Sequence, residues 1–160
     1  ILHYKYKHDA FLELYGIAPS ENEKTVELYK NYAKEKKIEH LIRFNGYSND
    51  VFTDMRKCSC VLFPSYSEAQ GLTIIESLAN GVPVVAYDCN YGPAAMIENS
   101  FNGYLVKTGD REGLAKNVLS IMDDNHLRKK LSDYAKTSAI KFSDSNIIYD
   151  LWLKAFKKTN

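Results

Sequence analysis

The chain is 160 residues long, with 21 basic against 20 acidic side chains and a formal net charge of +1, so its overall electrostatics give no case for nucleic acid as a partner. Hydrophobic residues make up 45% of it, enough for the core of one domain, yet no apolar run approaches the roughly eighteen residues needed to span a bilayer, and the opening ILHYKYKH lacks the pattern of a signal peptide. Three cysteines, Cys58, Cys60 and Cys89, form neither an even set nor a C-x-x-C pair, which predicts reduced thiols and a cytoplasmic location.

In chain order, residues 1–8 read as a linker or the tail of a helix, and a core is expected over 9–140. The first predicted strand is 10–15 (AFLELY). A helix over about 20–37 follows, opened by Ser20 and Glu23 as a capping box in which each side chain satisfies an otherwise orphaned backbone N–H. A short strand is expected at 41–44, then a helix over 51–57 capped by Asn49 or Asp50. The apolar run 60–63 (CVLF), stopped by Pro64, suits a buried strand, and 65–70 is polar enough for a surface loop. Residues 72–80 read as a helix with Gly81 as its stop before Val82 and Pro83. A strand at 84–87, an Asn102-Gly103 turn, a strand at 104–106 and helices over about 110–122, 125–140 and 143–158 complete the chain. Strands alternating with helices predict an α/β fold, a doubly wound, Rossmann-like parallel sheet covered on both faces. In such sheets ligands sit beyond the carboxyl ends of the strands, so loops 45–50, 64–71 and 88–94 are expected to converge on one cleft.

The segment FPSYSEAQGLTIIESLANG, residues 63–81, carries the chemistry. At about 100° per residue, Leu72, Ile74, Ile75, Leu78 and Ala79 share an arc, with Glu76 at its edge beside Thr73 and Asn80. The N–H groups at the helix start, around Gly71 and Leu72, favour an anion such as a diphosphate, and glycine at 71 lets the backbone approach it. A carboxylate near such a site suits vicinal hydroxyls, as an acidic residue does for the ribose of dinucleotides. Two carboxylates, Glu68 and Glu76, therefore point to two polyols. From spacing alone, Glu76 as a solvated helix glutamate and Glu68 as an unpartnered loop carboxylate are the commoner outcomes.

The wider text shifts that balance. FNGYSND (44–50), SYSEAQGLTIIESLANGVPVVAYD (65–88), NGYLV (102–106) and GDREGLA (109–115), in this order, resemble the glutamate-x7-glutamate signature and flanks of the group 1 (family 4) retaining glycosyltransferases of GT-B fold. YDCNYGP (87–93) departs from the glycines and glutamate usual there and is similar to the subset acting on polyol-phosphate polymers such as teichoic acids, or on serine-rich proteins. The resemblance implies the donor-binding half of such an enzyme, over 1–160 as one domain lacking its first strand-helix unit. It implies a sugar moved from a UDP-linked donor to an acceptor hydroxyl with retention. Glu68 is then the catalytic candidate beside the donor sugar and Glu76 holds the ribose. Ser65 and the backbone of Ala69, Gln70, Gly71, Leu72 and Thr73 meet sugar and diphosphate, and Gly46 and Tyr47 border the nucleobase, where a plain turn is the equal alternative.

No metal or other cofactor is expected: there is no D-x-D motif, and His3, His8, His40 and His126 are scattered without ligand spacing. The arginine and lysine that the family sets on the diphosphate, and the acceptor-binding domain before them, have no counterpart ahead of residue 10. Since stabilising the leaving diphosphate is the main electrostatic task, the 160 residues alone are expected not to catalyse. Ile148, Trp152, Ala155 and Phe156, with Lys154, Lys157 and Lys158 nearby, make the last helix amphipathic. It is expected to pack on its own domain or on the missing one, with peripheral membrane association at the inner face as the alternative. Two other readings stay open: a catalytically silent GT-B-like binding module, and a nucleotide-sugar epimerase, for which no acid/base pair is found.

Overall fold

The computed structural model describes residues 1–16 and 23–157, which form two compact units, Ile1–Asp54 and Met55–Asn160. The first unit holds α1 (Leu2–Tyr6), β1 (Leu12–Tyr15), α2 (Glu23–Glu35), a 3-10 turn at Glu39–Leu41 and β2 (Ile42–Gly46). The expected capping box of Ser20 and Glu23 rests on side chains outside the described residues. β1 and β2 pair in parallel, with Glu13 opposite Arg43. Arg43 donates to Glu13 Oε1 at 2.8 Å and Asn45 to Glu13 Oε2 at 2.5 Å, so the exposed edge of this ribbon is held by charge. The register slips between Leu14 and Tyr15, where Gly46 takes a positive φ of 72° and its carbonyl accepts the Gly16 N–H at 2.8 Å. Of the two candidate caps for α3 (Val51–Met55), Asp50 serves: its carboxylate accepts from the Thr53 N–H and hydroxyl.

The second unit is built on three parallel strands in the order β3 (Val61–Phe63), β4 (Val84–Asp88), β5 (Gly103–Lys107). Among the described residues all the strands pair in parallel, as the alternation of elements predicts, and they lie in two sheets, one in each unit. β4 is central, and four of its five residues are buried. Val84 and Ala86 face Phe63, Ile74, Leu78, Met96, Ile97, Ala135 and Ala139, while Val85 and Tyr87 face Val106, Leu114, Ile121 and Leu131. Both faces of this sheet are thus covered, by α4 (Leu72–Ala79), α5 (Pro93–Met96) and α7 (Asn125–Ser143) on one side and by α6 (Arg111–Asp123) with the start of α7 on the other.

One expectation changes and one is extended. The buried stripe of α4 is Ile74, Ser77 and Leu78, each fully buried, whereas Leu72 and Ala79 are exposed. The cause is the helix end. The Gly81 N–H reaches the Leu78 carbonyl and the Val82 N–H the Ser77 carbonyl, a Schellman closure at a glycine with φ of 72°, and Ser77 Oγ donates to the Val82 carbonyl at 2.8 Å. A polar side chain thereby becomes a core residue. The expected turn before β5 is present at residues 100–102, and Asn102 is in addition a buried tie. Asn102 is 1% exposed, accepts the Glu98 N–H, and donates to the Met96 carbonyl and to Ser138 Oγ on α7. The last helix, α8 (Ser145–Lys157), leaves Leu151, Trp152 and Phe156 mostly exposed, with the Trp152 and Phe156 rings stacked at 5.6 Å. Among the described residues, no helix is long and apolar enough to cross a membrane.

Candidate functional site

Because β3, β4 and β5 run parallel, the segments after Phe63, Asp88 and Lys107 leave from one edge of the sheet. Three contacts draw them together. A Cβ on Gly92, whose φ is 111°, would collide with the Gln70 carbonyl, so the loops after β3 and β4 touch backbone to backbone. The Tyr66 ring meets the Tyr87 ring edge-on at 5.5 Å. Thr108 Oγ1 donates to the Asp88 carbonyl at 2.9 Å, bringing in the segment after β5. Burial holds the Tyr87 phenol above its ordinary value, with Tyr66 adding to the effect, so it stays a neutral hydroxyl.

The junction into α4 forms the floor of this edge. Gly71 is left-handed, with φ 79° and ψ 50°, and a Cβ there would press on Ile74, Met96 and Phe63 at 3.3 to 3.5 Å. Only glycine meets both demands. The Gly71 carbonyl accepts the Ile74 N–H at 2.9 Å, and no side chain caps the helix start, which leaves the first N–H groups, at Leu72 and Thr73, turned to whatever approaches. An uncapped N-terminus carries roughly half a positive charge and suits an anion.

The candidate residues gather around this junction. Ser65 and Glu68 in the loop before it are half-buried; Ala69, Gln70, Leu72 and Thr73 are exposed. Glu76 is half-buried and sits about 150° around the helix from the centre of the Ile74, Ser77 and Leu78 stripe, on the side of Thr73 and Asn80. It faces away from the core more fully than the expected arc implies. Its carbonyl accepts from the Asn80 side chain, and among the described residues neither glutamate carboxylate is ion-paired. Two acceptor-only groups thus flank a cluster of free donors. Gly46 and Tyr47 belong to the first unit, where Gly46 ends β2 and Tyr47 is 75% exposed. Among the described residues, no group of three His, Cys, Asp or Glu side chains could hold a metal ion.

The Gln70–Gly92 approach is the expected convergence of loops 64–71 and 88–94. The Thr108 tie was missed, and nothing in the local text marks it.

Comparison with known proteins agrees with this geometry. The family model for glycosyl transferases group 1 matches residues 1–138. The chain is 30% identical over 122 residues to the poly(glycerol-phosphate) alpha-glucosyltransferase of Bacillus subtilis, covering 76% of the chain and 18% of that protein. It is 28% identical over 123 residues to the poly(ribitol-phosphate) alpha-N-acetylglucosaminyltransferase of Staphylococcus aureus, covering 77% and 25%. Among solved structures, a TarM mutant from S. aureus in complex with Fondaparinux, alpha-GlcNAc-glycerol and UDP superposes with a TM-score of 0.82 at 25% identity, over 97% of this chain and 30% of that one. The chain spans about a quarter or less of the length of these two curated relatives.

Proposed function

The chain belongs to the group 1 glycosyl transferases, and we propose that it is the donor-binding part of an enzyme that moves a sugar from a UDP-linked donor to an acceptor hydroxyl with retention of configuration. The observation that carries this reading is the uncapped α4 start behind a left-handed Gly71, flanked by the half-buried carboxylates of Glu68 and Glu76. The N–H groups of Leu72 and Thr73 receive the diphosphate, where negative charge grows as the glycosidic bond breaks, so the helix end stabilises the leaving group more than the ground state. Glu76, one turn along, accepts hydrogen bonds from the ribose hydroxyls. Glu68 stands beside the sugar, where its charge opposes the positive charge developing at the anomeric carbon. Ser65, Ala69 and Gln70 complete the donor contacts.

UDP as the nucleotide is supported by its presence in the TarM complex. Retention is supported by the two relatives, both alpha transferases, because an alpha product from an α-linked donor keeps its configuration. The polyol-phosphate acceptors in their names set the acceptor class of this reading, and a nucleotide-sugar donor sets the reaction in the cytoplasm. Residues 1–160 are proposed to work with an acceptor-binding domain and to bind donor without transferring sugar by themselves.

Calorimetric titration of the 160-residue chain with UDP tests this. Wild type is expected to bind and Glu76→Ala to bind about tenfold more weakly, the loss of one hydrogen-bond pair to a charged acceptor. Equal affinity in the two proteins would remove Glu76 from the donor site.

A further inference from the structure

At the other end of the three-stranded sheet, where Ser59 precedes β3 and Pro83 precedes β4, lies a second concavity of about 380 Å³. It is lined by four basic residues, Arg56, Arg128, Lys129 and Lys136, together with Asn80 and Asn125, and among the described residues no aspartate or glutamate lines it. α4 runs from the proposed donor edge to this end, so the two sites are separated by its length.

Two of the basic side chains donate to neutral amide oxygens. Arg128 donates to Asn125 Oδ1 and Arg56 to Asn80 Oδ1, both at 2.6 Å, which orients each guanidinium without spending its charge on that partner. Lys136 crosses Gly81, where a Cβ would meet its Cγ at 3.0 Å, so the glycine that closes α4 also gives Lys136 its path. Lys129 pairs with Asp133 at 3.0 Å, but both side chains are well exposed, and such surface pairs are worth little. The cleft also opens on the start of α7, whose first turn holds no acidic residue and whose cap, Asp124, accepts from the His126 and Leu127 N–H groups. Arg128 and Lys129 therefore sit near the positive end of a 19-residue helix, Lys136 follows on the same helix two turns after Arg128, and Arg56 comes from the segment before β3. Basic side chains near a helix N-terminus repel its positive end, and an anion in the cleft adds attraction that offsets this repulsion.

We propose that this cleft binds a phosphate-rich anion, either a free oligophosphate or a phosphodiester headgroup, independently of the donor site. The volume exceeds what a single small ion fills and falls in the range of small-molecule pockets. The Arg128 guanidinium fork suits the paired oxygens of a phosphate, and Lys136 supplies point charge on the same helix face.

The test is a proton-nitrogen NMR titration of the 160-residue chain with sodium tripolyphosphate at about 50 mM salt, alongside sedimentation with phosphatidylglycerol and phosphatidylcholine vesicles. Expected are shifts at residues 80–82, 125–129 and 132–136, and a loss of affinity of about tenfold in Arg128→Gln and in Lys136→Gln, the latter an exposed position that leaves the fold intact. Glu76→Ala is expected to bind tripolyphosphate as wild type does. Sedimentation with phosphatidylglycerol only, competed by tripolyphosphate, assigns the headgroup as the source; tripolyphosphate binding without sedimentation assigns a soluble oligophosphate. Absence of both, unchanged affinity in both variants, or shifts confined to residues 65–76 would overturn the proposal, the last because tripolyphosphate would then be occupying only the donor edge.

Discussion

Gly71 concentrates the argument at the residue scale, since it meets a left-handed backbone and a crowded Cβ position together. Gly71→Ala is expected to cost about 1–2 kcal/mol from backbone strain, read as a lower urea midpoint, and to weaken UDP binding as the first N–H groups of α4 turn away. Unchanged stability and affinity would show that the junction tolerates a side chain. Its place at the start of α4 was legible in the sequence because a polar loop gives way there to an apolar helical pattern. The burial of Ser77 was not, because it depends on a hydroxyl meeting the Val82 carbonyl, which only the folded helix end brings near. Cys60 gives a pH prediction. Burial, with Cys58 adding to it, pushes its thiol up to about 12, above the unfolded value of about 8.5. The neutral thiol is favoured in the fold, so its contribution to stability is complete below about pH 8.5 and is lost as pH rises toward 12. Comparing urea midpoints at pH 8 and pH 10, the fall is expected to be smaller in Cys60→Ala; an identical fall would assign it to other groups.

At the scale of elements, most of the order was readable, and the misses share a cause. Strand 60–63 and helix 72–80 were placed within a residue of β3 and α4, because Pro64 and Gly81 punctuate them. The turn before β5 was legible from the Asn-Gly pair, but the burial of Asn102 was not. In the fold, Asn102 uses its side-chain amide to join three separate pieces of backbone and side chain, a role set by distant Met96 and Ser138. Asn102→Ala strands the Glu98 N–H and the Met96 carbonyl in a buried place, an expected loss of about 2–4 kcal/mol by urea denaturation. A loss below about 0.5 kcal/mol would mean that water replaces the amide readily.

For the whole molecule, the parallel α/β class followed from the alternation of strands and helices, and the family from motifs spread over residues 44–115. Periodicity did not show that the strands divide into a pair and a triplet, because pairing across a crossover is decided by packing rather than by local text. The central claim is that the edge beyond β3 and β4 holds a nucleotide-sugar donor. Its most direct test is a proton-nitrogen NMR titration of the 160-residue chain with UDP and UDP-glucose, in wild type and Glu76→Ala. Shifts clustered at residues 65–76, weakened in the variant, are the predicted result; no shifts there at millimolar nucleotide, with the spectrum of a folded protein, would contradict it.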